Sequence, residues 1–276
     1  MQRSRVLYIT QEMFPYIGSE NEISKISREL PQAMLEKGWE IRNFMPRYGL
    51  INERRHQLHE VIRLSGMNII VNDSDQPLII KVASIPSARI QVYFIDNDEY
   101  FKRKFTTHDE NNTFYADNDE RAIFFCKGVL ETVKKLGWAP DIIHCHGWMT
   151  SLIPYFIRTA YKEDPTFIDA KIGFSLFDSD KFEGNLGAAY ASKASNGINE
   201  NIGPAAELAD YKNLIKSGIK YADFVVRGQN TIDSDINEYI VQSEKRSITL
   251  SGVEPVADEL HNFYKEIMEE ESILAE

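Results

Sequence analysis

The densest group of residues able to do chemistry is the run His144-Cys145-His146-Gly147-Trp148. Imidazole and thiol groups are common zinc ligands, and on a strand positions 144 and 146 share a face. No Cys or His pair at zinc-binding spacing accompanies them, so no metal is assigned. The run reads instead as one buried, hydrogen-bonded histidine and one at a strand tip. A second candidate is the pair Asp178 and Asp180, because two carboxylates flanking a glycosidic bond can divide acid and nucleophile roles. Both lie in a stretch rich in Gly, Ser, Ala and Asn with no matching second acidic cluster, which favours a solvated loop. Tyr48 and Trp148 form the third group. Each is expected at the carboxyl end of a parallel strand, where ligands bind in open α/β sheets and an aromatic face can stack on a sugar ring. Trp148 can equally serve to pack the start of its own helix.

A parallel sheet is needed to bring these residues together, and the sequence supplies its parts. Arg5–Thr10 is a short β-rich run, and Ile23, Ile26, Leu30 and Met34 then recur at helical spacing. Pro31 inside that pattern predicts a kink or two short helices. Gly38 closes the helix and EIRNFM is the second strand, a βαβ opening with a right-handed crossover. From Tyr48 to about Phe105, the runs VIRLSGMNIIV, PLIIKVASI and RIQVYFID are broken by turn signals at Asn72–Asp75 and Pro86–Ala88. They predict a meander or hairpins inserted into, or extending, the sheet. Asp117 and Glu120 have capping-box spacing ahead of a helix that ends near Gly137. Thereafter APDIIHCH, KIGFSLF, DFVVRG and SITL read as strands, and GWMTSLIPYFIRTAY, ELADYKNLIKSGIKYA and TIDSDINEYIV as helices. Residues 178–210 read as a mobile loop with helical fragments. A final amphipathic helix over about 255–268 carries Val256, Leu260, Phe263 and Ile267 on one face, with Pro255 in its first turn. Residues 1–276 thus read as one Rossmann-like α/β domain, with its core over 5–251.

The totals narrow the partners. With 276 residues, 43% hydrophobic and 26% charged, the chain can bury a full core without staples. The two cysteines, Cys126 and Cys145, read as small buried residues of a reduced, cytoplasmic protein. The apolar run Val6–Thr10 is too short for a signal peptide, and no run approaches the roughly 18 apolar residues of a membrane span. A formal charge of −11 disfavours nucleic acid and anionic membrane, and it burdens a sugar nucleotide while leaving a neutral glucan unaffected.

Three blocks carry a resemblance. VLYITQEMFP with ELPQAMLEKGWEIRNFMPRYG, then VYFIDNDEYF with DNDERAIFFCKGVLETVKKLGWAPDIIHCHGWMTSLIP, then NLIKSGIKYADFVV resemble the bacterial glycogen/starch synthase family (family 5 glycosyltransferases). The resemblance runs with gaps from Arg5 to about Ser251. It implies the N-terminal Rossmann half of a two-domain GT-B enzyme that transfers glucose from ADP-glucose to glucan. It also exposes departures. The family's Lys-x-Gly-Gly loop is here YIGSENEISK, which keeps Gly18 alone, sets Glu20 and Glu22 against phosphate and places Lys25 in the helix. In the family's His-x-His-Asp-Trp motif, His144, His146 and Trp148 remain but Gly147 replaces the aspartate. Where the family carries His-Asn after the next strand, this chain has Phe177 and Asp178, and a phenyl ring offers no hydrogen bond to a sugar. The resemblance stops where the second domain would begin, so half the donor site is expected to be missing.

Substrate contact is accordingly assigned to Tyr48, His146, Trp148 and Asp178, with no catalytic residue and no cofactor. The expected function is that of a degenerate glycogen synthase relative, silent alone and acting as a glucan-binding or regulatory domain. Two rivals stand beside it. One is half of an ADP-glucose:glucan glucosyltransferase completed by a separate second-domain chain, and the other is a pure interaction module. The matching partners are glucan, ADP-glucose weakly or not at all, and a second copy or second-domain chain. The final helix is expected to fold back onto the core, or to pack in a dimer.

Overall fold

Alternation decides how the first strand is used. In β1 (Arg5–Thr10), Val6 and Tyr8 point to one side of the sheet and Leu7 and Ile9 to the other, and all four are buried. The computed structural model describes residues 3–17, 21–228, 232–250 and 256–274, with side chains for all of these except Val256 and 270–274. Gly18, Glu20 and Pro255, singled out in the sequence, lie outside the described residues.

The Asn21 side chain caps α1 (Glu22–Glu36) by accepting from the Ser24 N–H. This helix runs unbroken through Pro31, against the expected kink or division. Proline removes only the one bond its N–H would make to the Ser27 carbonyl. Burial of Ile23, Leu30, Pro31 and Met34 against the sheet holds the rest together. β2 (Glu40–Pro46) follows and pairs parallel to β1. The irregular stretch contains α2 (Glu53–His56), β3 (His59–Glu60), β4 (Met67–Val71), β5 (Ser74–Ile85), β6 (Ile90–Asp96) and α3 (Asp98–Phe101). β5 turns back antiparallel between β3 or β4 and β6, so the meander extends the sheet, and β6 pairs parallel to β2.

The alternation then resumes with α4 (Asn118–Leu136), β7 (Ile142–His146), α5 (Leu152–Arg158), β8 (Lys171–Leu176), α6 (Tyr190–Ala194), α7 (Tyr211–Tyr221), β9 (Phe224–Arg227), α8 (Ser234–Gln242), β10 (Arg246–Thr249) and α9 (Val256–Leu274). Asp117 occupies the N-cap position of α4, but its carboxylate makes no capping bond and grips Arg103 with both oxygens instead. The helix expected from Gly147 onward begins as a 310 turn over Trp148–Thr150, and α5 proper starts at Leu152.

The sheet order is β10-β9-β8-β7-β1-β2-β6-β5-β3, with β4 beside β5. The chain builds outward from β1 through β2 and β6, then returns to place β7 on β1's other side. That reversal puts a switch point at the carboxyl ends of β1 and β7, the position where open α/β sheets hold ligands. One sheet face is covered by α4, α5 and α7, and the other by α1 and α9. Leu260, Phe263, Tyr264 and Ile267 of α9 are buried on Val6, Tyr8, Ile142, Phe224 and Val226 of the strands and on Leu30 and Met34 of α1. The helix continues past the expected end near residue 268 to Leu274.

Candidate functional site

Two histidines project from β7 onto the α9 face. His144 is held at both nitrogens, Nδ1 to the Tyr264 hydroxyl at 2.5 Å and Nε2 to the Ser175 hydroxyl at 2.6 Å. Burial, reinforced by neighbouring His146, drives its pKa well below the ordinary value, so it is neutral. His146 follows on the same face, its ring centre 4.5 Å from that of His144. Its protonation pattern follows from counting hydrogens. The Thr10 hydroxyl donates to the Glu12 carbonyl at 2.8 Å, so the Ser27 hydroxyl must donate to Thr10 Oγ1, also at 2.8 Å. His146 Nδ1 must then donate to Ser27 Oγ at 3.1 Å. That leaves Nε2 as a bare acceptor, buried and without a hydrogen-bond partner among the described residues. Burial pushes the His146 pKa down to about 3.

The aromatic pair requires a correction. Trp148 is 2% exposed, its ring packed against Phe182 at 4.9 Å and Phe114 at 5.9 Å. Tyr48 is 1% exposed, edge-on to Phe101 and 5.9 Å from the Arg121 guanidinium, with its hydroxyl on the Met149 sulfur. Neither offers a ring face on which a sugar could stack. The rings that cover them come from segments distant in sequence: Phe101 packs on Tyr48, and Phe114 and Phe182 pack on Trp148. Asp178 is exposed and pairs with Lys181 in its own turn. Of the four assigned contact residues, only Asp178 meets solvent; Tyr48, His146 and Trp148 face inward. Lys25 is exposed on α1.

The residue the sequence reading misplaced is Asp180. Two positions from exposed Asp178, it turns inward and is 6% exposed. Its Oδ2 accepts the Trp148 backbone N–H at 2.9 Å, and its Oδ1 lies 2.8 Å from the Tyr211 hydroxyl. Burial pushes it up to about 7, opposed by those two donors and assisted by Glu12. No local signal marks it, since both partners come from other elements.

Two further positions shape the crevice. Gly147 has φ of 88°, and a Cβ there would lie 2.5 Å from Gln11 Oε1. Gln11 thus fills the space into which a side chain at 147 would project. Phe177, 2% exposed, sets its ring 5.8 Å from His146 and rests on Gly228, where a Cβ would come within 2.4 Å of the ring. The cavity beside Phe177, Asp178 and Tyr211 measures about 10 Å³, room for no more than a single water.

Comparison with known proteins places this geometry. The sequence profile described as "Starch synthase catalytic domain" matches residues 5–245. A glycogen synthase of Chlorobium limicola is 36% identical over 223 residues, covering 80% of this chain and 45% of the relative. One of Chlorobium phaeobacteroides is 44% identical over 170 residues, covering 60% of this chain and 34% of the relative. The chain therefore spans less than half the length of these curated relatives. Among solved structures, the catalytic domain of starch synthase IV from Arabidopsis thaliana, bound to ADP and acarbose, superposes with a TM-score of 0.72 at 18% identity. The superposition covers 91% of this chain and 52% of that one, and at this identity it speaks for the fold. The fold is thus the α/β half of a GT-B glycosyltransferase.

Proposed function

The chain belongs to the starch synthase catalytic-domain family, and on that premise we propose that it is a member that does not transfer glucose by itself and serves glucan metabolism by binding or regulation. The observation that carries this reading is Phe177. Its ring sits at the end of β8, 5.8 Å from the ring of His146, where a phenyl group offers a sugar no hydrogen bond. Gly147 and Gln11 support it, because an acidic side chain at 147 would collide with Gln11. A docking partner cannot replace side chains within this half, which weighs against a half-enzyme completed in trans. Asp178, exposed and paired with Lys181, can accept a hydrogen bond from a glucan hydroxyl.

The test pairs two measurements. ADP-glucose or UDP-glucose labelled in the sugar is incubated with the chain and glycogen, and incorporation equal to the blank is expected. Incorporation above the blank that Phe177→Trp abolishes would overturn the non-catalytic reading. Maltoheptaose is then titrated by calorimetry, where weak saturable binding reduced by Asp178→Ala is expected. No saturable signal would remove glucan contact and leave an interaction module.

A further inference from the structure

Tyr211, at the start of α7, aims its hydroxyl at two buried acceptors: the Phe177 carbonyl at 2.9 Å and Asp180 Oδ1 at 2.8 Å. A phenol carries one hydrogen, so it can serve only one of them as donor. The other contact must be supplied with a hydrogen from the far side. A carbonyl has none to give, whereas Asp180 has one when protonated. The arrangement that satisfies both distances is a chain in which Asp180 Oδ1–H donates to Tyr211 Oη and Tyr211 O–H donates to the Phe177 carbonyl. Oδ2 stays free to accept from the Trp148 N–H at 2.9 Å.

Losing the proton changes the count. A carboxylate is the stronger acceptor, so the Tyr211 hydrogen turns to Asp180. The Phe177 carbonyl, in a residue 2% exposed, is then left without its donor. Phe177 is the residue whose ring packs edge-on against that of His146, 5.8 Å centre to centre, and His146 carries the bare Nε2. We propose that Asp180 and Tyr211 form a proton-operated latch, which keeps Phe177 against His146 while Asp180 is protonated and releases the ring when it ionises. The latch is independent of whether the chain transfers glucose.

The surroundings favour a proton held near neutrality. Tyr211 faces Asp180 from α7 and the Trp148 N–H from the turn after β7, while Glu12 at the end of β1 adds a charge that opposes ionisation. Asp178 and Lys181, in the same turn, neutralise each other. Burial first, then Asp180 and, more weakly, Asp178 and Asp233 ahead of α8, keep the Tyr211 hydroxyl protonated. Burial is the largest influence on Asp180 and places its titration near 7.

The latch is tested by NMR on the whole chain, with 13C-carboxyl aspartate and 4-fluorophenylalanine at position 177, titrated from pH 5.5 to 8.5. The Asp180 carbon is expected to titrate inside that range, with the fluorine signal of residue 177 moving at the same midpoint. Asp180→Asn, whose amide donates to Tyr211 at every pH, should hold the fluorine signal at its acid position. Tyr211→Phe should leave the carboxyl titrating and abolish the fluorine response. Three results would overturn the latch: an Asp180 carbon already ionised at pH 5.5, a fluorine signal flat while the carboxyl titrates, or a fluorine step that persists in Asp180→Asn. Should the asparagine variant not fold, Tyr211→Phe decides alone.

Discussion

Three buried titratable residues near the β7 end pull stability in opposite directions with pH. His144 and His146 have folded pKa values below the ordinary histidine value, His146 at about 3. The unfolded chain therefore binds more protons, and the stability they contribute is complete above about pH 6.5 and declines as pH falls through that value. Asp180 is raised to about 7. Its contribution is complete below about pH 4 and is lost as pH rises through 7. Between pH 6.5 and 5, each group supplies up to about 1.4 kcal/mol per pH unit, with the aspartate opposing the histidines. Urea unfolding of Asp180→Asn should therefore lose stability toward acid more steeply than the parent, by about that slope, and His146→Gln should lose it less steeply. Parallel stability–pH curves for all three proteins would refute this. The histidine expected at a strand tip is buried like its neighbour, so only one buried, hydrogen-bonded histidine was legible in HCH. Asp180 and the two aromatics were not. Exposure at a strand end is decided by the loops that roof it, and no periodicity in 177–186 or 100–115 reveals that Phe182 and Phe114 lie on Trp148.

At the scale of elements, legibility followed periodicity. The β-rich runs appear as strands and the α9 stripe as a buried face, because burial of one face is what the pattern encodes. Local chemistry read in isolation misled where tertiary contacts prevailed. Pro31 did not break α1, since packing on the sheet outweighs one missing bond, and Asp117 left its capping role for the Arg103 guanidinium. α9 bears on stability most directly. Burying Leu260, Phe263 and Ile267 contributes roughly 1.5–3 kcal/mol apiece on transfer terms, and Tyr264 adds its contact with His144. Leu260→Ala is expected to cost about 2–5 kcal/mol, as for a buried leucine in a close-packed site. Removal of residues 251–276 should leave an aggregating or unfolded chain. A soluble fragment with an unchanged Tm would show instead that α9 is dispensable to the core.

For the whole molecule, the question is whether its surface calls for a second copy. The accessible surface is 12864 Å². A folded monomer of 31.8 kDa is expected to expose about 12,200 Å², so the two agree to within roughly a tenth. Had α9 reached out to a partner, one face of the sheet would lie bare, and the strand residues Val6, Tyr8, Ile142, Phe224 and Val226 would be exposed. They are buried under the chain's own helix. Among the described residues, the large apolar side chains that remain exposed come from separate elements, from Ile62 between β3 and β4 to Val241 on α8. A formal charge of −11 on each copy adds repulsion at low ionic strength. Light scattering coupled to size exclusion should therefore report the monomer mass from low to high micromolar concentration. Raising the salt to several hundred millimolar screens the charge without creating an apolar face, so the mass should stay the same. A mass near twice 31.8 kDa at either salt would sink this expectation. It would return α9, or another surface of the described residues, to consideration as a dimer interface.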